Sequence, residues 1–376
     1  MVARIIGVEA PEGTLPYVSM IAVAPRAPFA TPGRFFIHPS FDYLLIAGGL
    51  SLLFGVGIWA ADLHSALGPW LATLIIVANG AHFAASTVRL YTRPGVTKAL
   101  PFLALGLPVI AVLVASAAIM LPEPLGLYLF SVYVVWSQYH YSAQAYGLAV
   151  MYGYRAGVAL SDGAKRVVWI ACLFPFVWTL LQPQGGVADV LRWWKLSSTG
   201  PVEVARSSAS SLLVVITLVA PVLLMLFLRQ RHAVSLPLIS VVTIASNAVW
   251  WTLFNFFDAF LWAAVFHGVQ YLAIVTIFHV KDRLRDPANT RGMSWHAGSF
   301  YVVCLVLGYI LFNVWPFAYS WAGYNLQKAA LLTTAAINIH HFVVDAYIWR
   351  LRKDPNYRNV VEEPAARGGA VVRIGA

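Results

Sequence analysis

Residues 257–280 read FDAFLWAAVFHGVQYLAIVTIFHV, an almost wholly apolar run that ends one residue before Lys281. A helix needs about 20 such residues to cross the hydrocarbon core of a bilayer. The run therefore has the length and composition of a transmembrane helix. It also contains His267 and His279, and ionisable side chains inside a membrane span are rare and usually functional. Both features recur along the chain.

Similar apolar runs extend through most of the sequence, of which 60% is hydrophobic and 11% charged. Soluble domains carry about 25% charged residues, so this composition indicates a protein that lies in lipid. We predict about ten spans, at 41–60, 69–90, 99–121, 124–152, 164–182, 209–229, 234–256, 257–280, 298–315 and 326–350. The expected fold is an all-α, polytopic bundle of transmembrane helices.

Basic residues concentrate in every second connection between these spans, which is the pattern of cytoplasmic loops. The basic sets are Arg26/Arg34, Arg89/Arg93/Lys98, Arg155/Lys165/Arg166, Arg229/Arg231, Lys281/Arg283/Arg285/Arg291 and Arg350/Arg352/Lys353. The short connections between them carry Asp62, Glu123, Asp258 or no charge. This alternation predicts an inner-membrane protein with both termini in the cytoplasm. It also explains the net charge of +10 without a nucleic-acid partner.

We expect the chain to divide into a cytosolic tail at 1–36, a transmembrane domain at 37–353 and a flexible cytosolic tail at 354–376. The two cysteines, Cys172 and Cys304, each lie within an apolar run. Neither a disulfide framework nor a thiolate metal site can be inferred from two such residues, so we expect them to pack in the core.

Histidines inside the predicted spans are the most informative residues of the sequence. Six lie there: His82, His140, His267, His279, His340 and His341. Four of them precede the basic residue at the cytoplasmic end of their span by seven to fifteen residues, namely His82, His140, His267 and His341. At a rise of about 1.5 Å per residue, these four share a layer roughly 10–20 Å from that border. His279 lies twelve residues after His267. This spacing is a rise of roughly 18 Å along the helix axis, so the two histidines are too far apart to bind the same ion.

Each of the four histidines also has polar residues three or four positions away, on the same helical face. These companions are Asn79 and Ser86 for His82, Gln144 for His140, Gln270 and Tyr271 for His267, and Asn338 and Asp345 for His341. Metal-bound imidazoles usually donate their second N–H to such a group. We therefore interpret the layer as a metal site with hydrogen-bonded ligands.

Imidazole ligands suit iron, copper, zinc and nickel. Four or five histidines with one intramembrane carboxylate, among aromatic residues, favour non-haem iron that activates dioxygen beside an apolar or lipid-like substrate entering from the bilayer. The predicted ligands are His82, His140, His267 and His341, with His340 in reserve. Asp345 either orients His341 or binds directly, and Tyr271 lines the site or relays protons; these two are the predicted catalytic residues.

Three short segments carry a resemblance to a known family: Asn79–Ser86 with His82, Phe266–Tyr271 with His267, and Ile339–Asp345 with His341. In these the chain resembles the Brp/Blh-type membrane carotene oxygenases, and the resemblance implies an iron enzyme that cleaves carotene to retinal. The chain departs from that family in lacking two histidines one helical turn apart. The absence of His-x-x-x-His and His-x-x-His-His also argues against membrane desaturases and alkane hydroxylases.

Three other functions are compatible with the same residues. Two histidines on neighbouring spans, His82 with His341 or His140 with His267, could ligate haem b in an electron-transfer protein. A transporter or proton-coupled channel could use the histidines and Asp345 as a relay. A structural subunit of a larger membrane complex is the third. The sequence does not identify a redox partner.

Overall fold

The computed structural model describes residues 32–92, 96–180, 223–232, 234–254 and 256–349. Within these ranges all regular structure is helical, which confirms the predicted all-α class. The helices are α1 (Pro39–Ile46), α2 (Gly49–Ala61), α3 (Ala66–Tyr91), α4 (Phe102–Met120), α5 (Leu127–Arg155), α6 (Asp162–Leu180), α7 (223–232), α8 (Leu238–Leu253), α9 (Phe256–Leu284), α10 (Met293–Trp321) and α11 (Leu326–Ile348). The predicted tail at 354–376, and residues 1–31 of the other tail, lie outside the described residues.

Five helices, α3, α4, α9, α10 and α11, are long and apolar enough to cross a membrane. The number rises to six if α1 and α2, bent by 56°, form one broken span. The chain is thus a multi-pass helical membrane protein, with five or six rather than ten such spans in the described part. Of the other predicted spans, α8 has only 16 residues, and 209–229 lies mostly outside the described residues.

The helix α5 occupies the predicted span at 124–152 but is more polar than the five. Its buried residues include Ser137, Gln138, His140 and Ser142, which lower its hydropathy. Such side chains are tolerated because they face other helices instead of lipid. The polarity of α5 therefore follows from its position inside the bundle.

The break between α1 and α2 lies at Gly48, whose φ of +77° is in the left-handed region. Only glycine adopts that conformation without strain. A Cβ on Gly48 would also collide with Ser246 of α8 and Gln270 of α9. Glycine at this position thus lets the broken helix pair contact both neighbours.

Helix α3 lies between α9 and α10 and approaches both at glycines. A Cβ on Gly268 would lie 3.0 Å from the carbonyl carbon of Ala78, and one on Gly308 would lie 2.5 Å from the carbonyl oxygen of Gly80. Both glycines contact the π-helical turn Ile75–Gly80, which immediately precedes the helical turn of His82. Direct backbone contact with α9 therefore brings this part of α3 close to His267.

Charged residues from several predicted cytoplasmic connections meet at one end of the bundle. The Phe36 ring lies 3.9 Å from the Arg155 guanidinium and 5.2 Å from Lys281 Nζ. Arg89 forms a 3.1 Å ion pair with Asp282. The structure thus places basic residues of three connections on the same side as the start of α1.

Candidate metal centre

Four histidines from α3, α5, α9 and α11 form a closed ring of imidazoles inside the bundle. Going around the ring, the centroid distances are 4.9 Å from His82 to His267, 5.0 Å from His267 to His140, 5.1 Å from His140 to His341, and 4.7 Å from His341 back to His82. We call these residues the histidine ring. They are the four histidines that the sequence places in one layer.

Each residue of the histidine ring is buried, with 9% exposure for His140 and less for the others. All four Nε2 atoms are buried and have no hydrogen-bond partner within the described residues. Ligand atoms of His82, His267 and His341 lie within 4.8 Å of one another, and so do those of His140, His341 and Asp345. An unpaired buried nitrogen is unfavourable, and Nε2 of the neighbouring His340 is unpaired too, so these groups could hold a metal ion.

The tautomer of His82 follows from its hydrogen bond. Its Nδ1 lies 2.6 Å from the backbone carbonyl of Asn79, the residue three positions earlier. A carbonyl oxygen can only accept, so Nδ1 carries the proton and donates it. The Nε2 atom of neutral His82 therefore presents a lone pair to the interior of the ring.

The same reasoning applies to His341, whose Nδ1 lies 2.8 Å from Ser86 Oγ on α3. The Ser86 hydroxyl donates its single hydrogen to the Phe83 carbonyl at 3.0 Å, so towards His341 it accepts. Nδ1 of His341 is then the donor, and Nε2 carries the lone pair. Two of the four imidazoles are thus held in the orientation and tautomer of a metal ligand.

Asp345 supplies a carboxylate at the edge of the histidine ring. Its Oδ2 lies 3.3 Å from Nε2 of His341 and 3.7 Å from Nε2 of His140. Its other oxygen, Oδ1, accepts a 2.8 Å hydrogen bond from the Tyr271 hydroxyl, which in turn accepts one from Trp349 Nε1 at 3.3 Å. The two predicted catalytic residues, Tyr271 and Asp345, therefore contact each other and the ring.

Aromatic side chains surround the histidine ring. Phe342 lies 4.6 Å from His140, Tyr141 lies 4.5 Å from His267, and Phe83 lies 4.8 Å from His341, as centroid distances. Phe83 and Phe342 belong to one apolar cluster with Ile337. These rings keep bulk water from the centre and lower the local dielectric constant, which strengthens interactions between the ligands and any bound charge.

The structure does not bring the other predicted residues into this centre. His340, the reserve ligand, belongs to neither of the two three-residue groups, because consecutive residues on a helix point about 100° apart. His279 stacks on Phe300 at 4.4 Å. Asp42, a second buried carboxylate, lies outside this centre and accepts hydrogen bonds from the Phe36 amide and the Tyr152 hydroxyl.

Several predicted companions bond to partners other than their own histidine. Ser86 bonds to His341 instead of His82, and Gln144 donates to the backbone carbonyl of His267 at 3.3 Å. Asn338 donates to the Thr334 carbonyl at 2.8 Å. Trp349, absent from the sequence interpretation, completes the chain of donors to Asp345. Its position four residues after Asp345 was the available signal.

No protein-family model, curated protein or solved structure matches this chain.

Proposed function

We propose that this protein is an integral membrane metalloenzyme that binds non-haem iron in the histidine ring and uses dioxygen to oxidise an apolar or lipid-like substrate. The observation that carries the proposal is the closed ring of four buried imidazoles whose Nε2 atoms have no hydrogen-bond partner in the described structure. The carboxylate of Asp345 beside two of them adds a fifth donor.

The size of the ring fits one ion. With metal–nitrogen bonds of about 2.1 Å and ring centres about 1.1 Å beyond the nitrogens, neighbouring ring centres lie about 4.5 Å apart in a square and about 5.2 Å apart in a tetrahedron. The four observed distances, 4.7 to 5.1 Å, fall between these values. The ring-centre distances are therefore compatible with one ion, and the closest sets of ligand atoms are two groups that share His341.

The carboxylate favours iron over copper, whereas two histidines with one carboxylate hold both non-haem iron and catalytic zinc. Two histidines and one carboxylate with open positions are typical of non-haem iron oxygenases, and His140, His341 and Asp345 form such a group. Histidines alone would suit zinc and copper equally well. Bound iron would supply the means to activate dioxygen, which does not react readily with closed-shell organic molecules by itself.

Haem b fits these distances less well. Two axial imidazoles on opposite sides of one iron have ring centres roughly 6 Å apart, with the flat macrocycle between them. The centroid distances of the two pairs proposed for haem are 4.7 Å for His82 with His341 and 5.0 Å for His140 with His267. Each pair also has the other two imidazoles where a macrocycle would have to lie.

The surrounding residues have separate roles in this proposal. Asp345 orients His341 or binds the ion, and Tyr271 holds a proton on the hydroxyl that contacts Asp345. The aromatic side chains exclude water, and the substrate enters sideways from the lipid. If both atoms of dioxygen enter the product, no separate reductant is needed; a reaction that also releases water requires electrons from a redox partner.

We also propose ten spans with both termini in the cytoplasm of the inner membrane. The support is the alternation of basic connections and the meeting of Arg155, Lys281 and Arg89 at one end of the bundle. Reporter fusions after residues 62, 123 and 258 should be exported, and fusions after 93, 160 and 288 should remain cytoplasmic. The reverse pattern, or a mixed one, would contradict this topology.

Elemental analysis and an optical spectrum of the purified protein test the metal centre. We expect about one iron per chain and no intense Soret band, with iron lost in His82→Ala, His140→Ala, His267→Ala and His341→Ala. The matched control is His340→Ala. His340 is an intramembrane histidine on α11, next to His341, and this variant should keep its iron. An intense Soret band would establish haem instead. Full metal retention in two or more ring variants would remove those residues from the site.

A further inference from the structure

The four residues of the histidine ring differ in the hydrogen bonds that their Nδ1 atoms form. Nδ1 of His82 donates to the Asn79 carbonyl, and Nδ1 of His341 donates to Ser86. Nδ1 of His267 and Nδ1 of His140 form no hydrogen bond with the residues that the structure describes, and of these two histidines only His267 lines a cavity. Metal-bound imidazoles nearly always have such an acceptor, because it fixes the tautomer and the ring orientation.

His267 also lines a cavity between α2, α5, α8 and α9. The cavity measures about 20 Å³, counted as the space open to the centre of a water molecule. By this measure a site of roughly 10–15 Å³ holds one water. The cavity therefore has room for one or two water molecules.

Polar side chains line the same cavity and can satisfy a water. Asn247 uses its Nδ2 to donate to the Cys172 carbonyl at 3.0 Å, which leaves its Oδ1 as an acceptor. Ser51 accepts from Trp250 Nε1 at 2.7 Å and keeps its own hydroxyl hydrogen to donate. Gln270 Nε2 donates to Ser246 at 3.4 Å, which leaves its Oε1 as a second acceptor. A buried water needs two to four such partners.

We propose that this cavity is a specific water site, in which the water accepts the Nδ1–H of His267 and donates to Asn247 or Gln270. The water then fixes the tautomer of His267, so that Nε2 presents its lone pair to the histidine ring. This inference rests on the proposed metal centre. It makes Asn247 and Gln270 positioning residues, which act on the metal through the water and His267.

Filling the cavity tests the proposal without removing a polar group. Ala263 lines the cavity, and Ala263→Val adds two carbons at its wall. The matched control is Ala264→Val on the same helix, since Ala264 is equally buried but does not line the cavity. In the full chain, iron affinity measured by chelator competition should fall about 10- to 100-fold in Ala263→Val and stay near wild type in Ala264→Val.

A high-resolution map of the wild-type protein gives an independent readout that needs no metal. It should show an ordered water within hydrogen-bond distance of His267 Nδ1, and the water should be absent in Ala263→Val. No water at that nitrogen, unchanged iron affinity in Ala263→Val, or equal losses in both variants would overturn the inference. A wild-type protein that binds no iron but shows the water would overturn the metal centre alone.

Discussion

Asp345 Oδ2 lies 3.3 Å from Nε2 of His341, one helical turn earlier on α11, and the two atoms are both hydrogen-bond acceptors in their usual states. The tautomer of His341 is fixed by Ser86, so its Nε2 has no proton to offer. Two buried acceptors at this distance repel each other unless a cation or an added proton lies between them. A cation or a proton bound between Asp345 Oδ2 and His341 Nε2 would therefore be stabilised by both atoms.

Asp345→Asn should weaken iron binding by about 10- to 100-fold, because it removes the negative charge and keeps the shape. The amide of asparagine can donate to His341 Nε2, so the metal-free variant should melt at or above the temperature of metal-free wild type. Chelator competition and thermal melting of both forms measure the two effects. Unchanged iron affinity would mean that Asp345 neither binds nor orients a ligand.

The control for this variant is Asp42→Asn. Asp42 is also a buried carboxylate, but it accepts from the amides of Phe36 and Ile37 and from the Tyr152 hydroxyl, outside the site. Its neutralisation should lower stability by about 1–3 kcal/mol, because hydrogen bonds to a charged acceptor are lost. Iron affinity, measured where the variant is fully folded, should stay at the wild-type value.

Ser86→Ala should lower iron affinity and Asn79→Ala should not, although both residues flank His82. Ser86 accepts the Nδ1 proton of His341, so its loss frees that ring and should lower iron affinity roughly tenfold. Asn79 serves His82 through its backbone carbonyl, and its side-chain oxygen is buried without a partner. Asn79→Ala should therefore leave iron affinity unchanged and not reduce stability. Equal affinity losses would contradict these assignments.

The sequence was sufficient to group the four histidines because depth along a span can be counted in residues. His82, His140, His267 and His341 share one depth, and the structure brings the same four together. Rotation about the helix axis cannot be counted in this way for a helix without known neighbours. For this reason the sequence kept His340 in reserve beside His341, and the structure groups His341 but not His340 with the other histidines.

Partners across helices were also beyond the sequence. Helical spacing correctly relates Asp345 to His341, since both lie on α11. It assigns Ser86 to His82, whereas the close packing of α3 and α11 points Ser86 at His341. The number of spans was less predictable still, because a helix such as α5 can be buried by its neighbours and carry polar residues that lower its hydropathy.

Tyr271→Phe should leave iron content intact and slow the reaction, because the hydroxyl contacts the carboxylate and not the ring nitrogens. If the hydroxyl transfers a proton, its loss should lower the rate of dioxygen uptake with an apolar substrate by about 10²- to 10⁴-fold. Trp349→Phe, which removes the indole donor to Tyr271 and keeps the carboxylate and the Tyr271 hydroxyl, should cause a smaller decrease. Loss of iron in Tyr271→Phe would instead assign Tyr271 a role in holding the site together.

Gly268→Ala should disturb the metal centre from outside it. The added Cβ would lie 3.0 Å from the carbonyl carbon and oxygen of Ala78, and these are backbone atoms that cannot rotate away. Helix α9 must then move away from α3, which separates His267 from His82 and costs about 1–3 kcal/mol of stability through overpacking.

The control is Gly147→Ala on α5. A Cβ there meets no atom within 4 Å, and the substitution should stabilise the helix by about 0.5–1 kcal/mol. Thermal melting and iron content measure both variants. Full iron content in a destabilised Gly268→Ala would show that the ring tolerates displacement of α9, and would contradict the tight coupling of helix contact to ligand geometry.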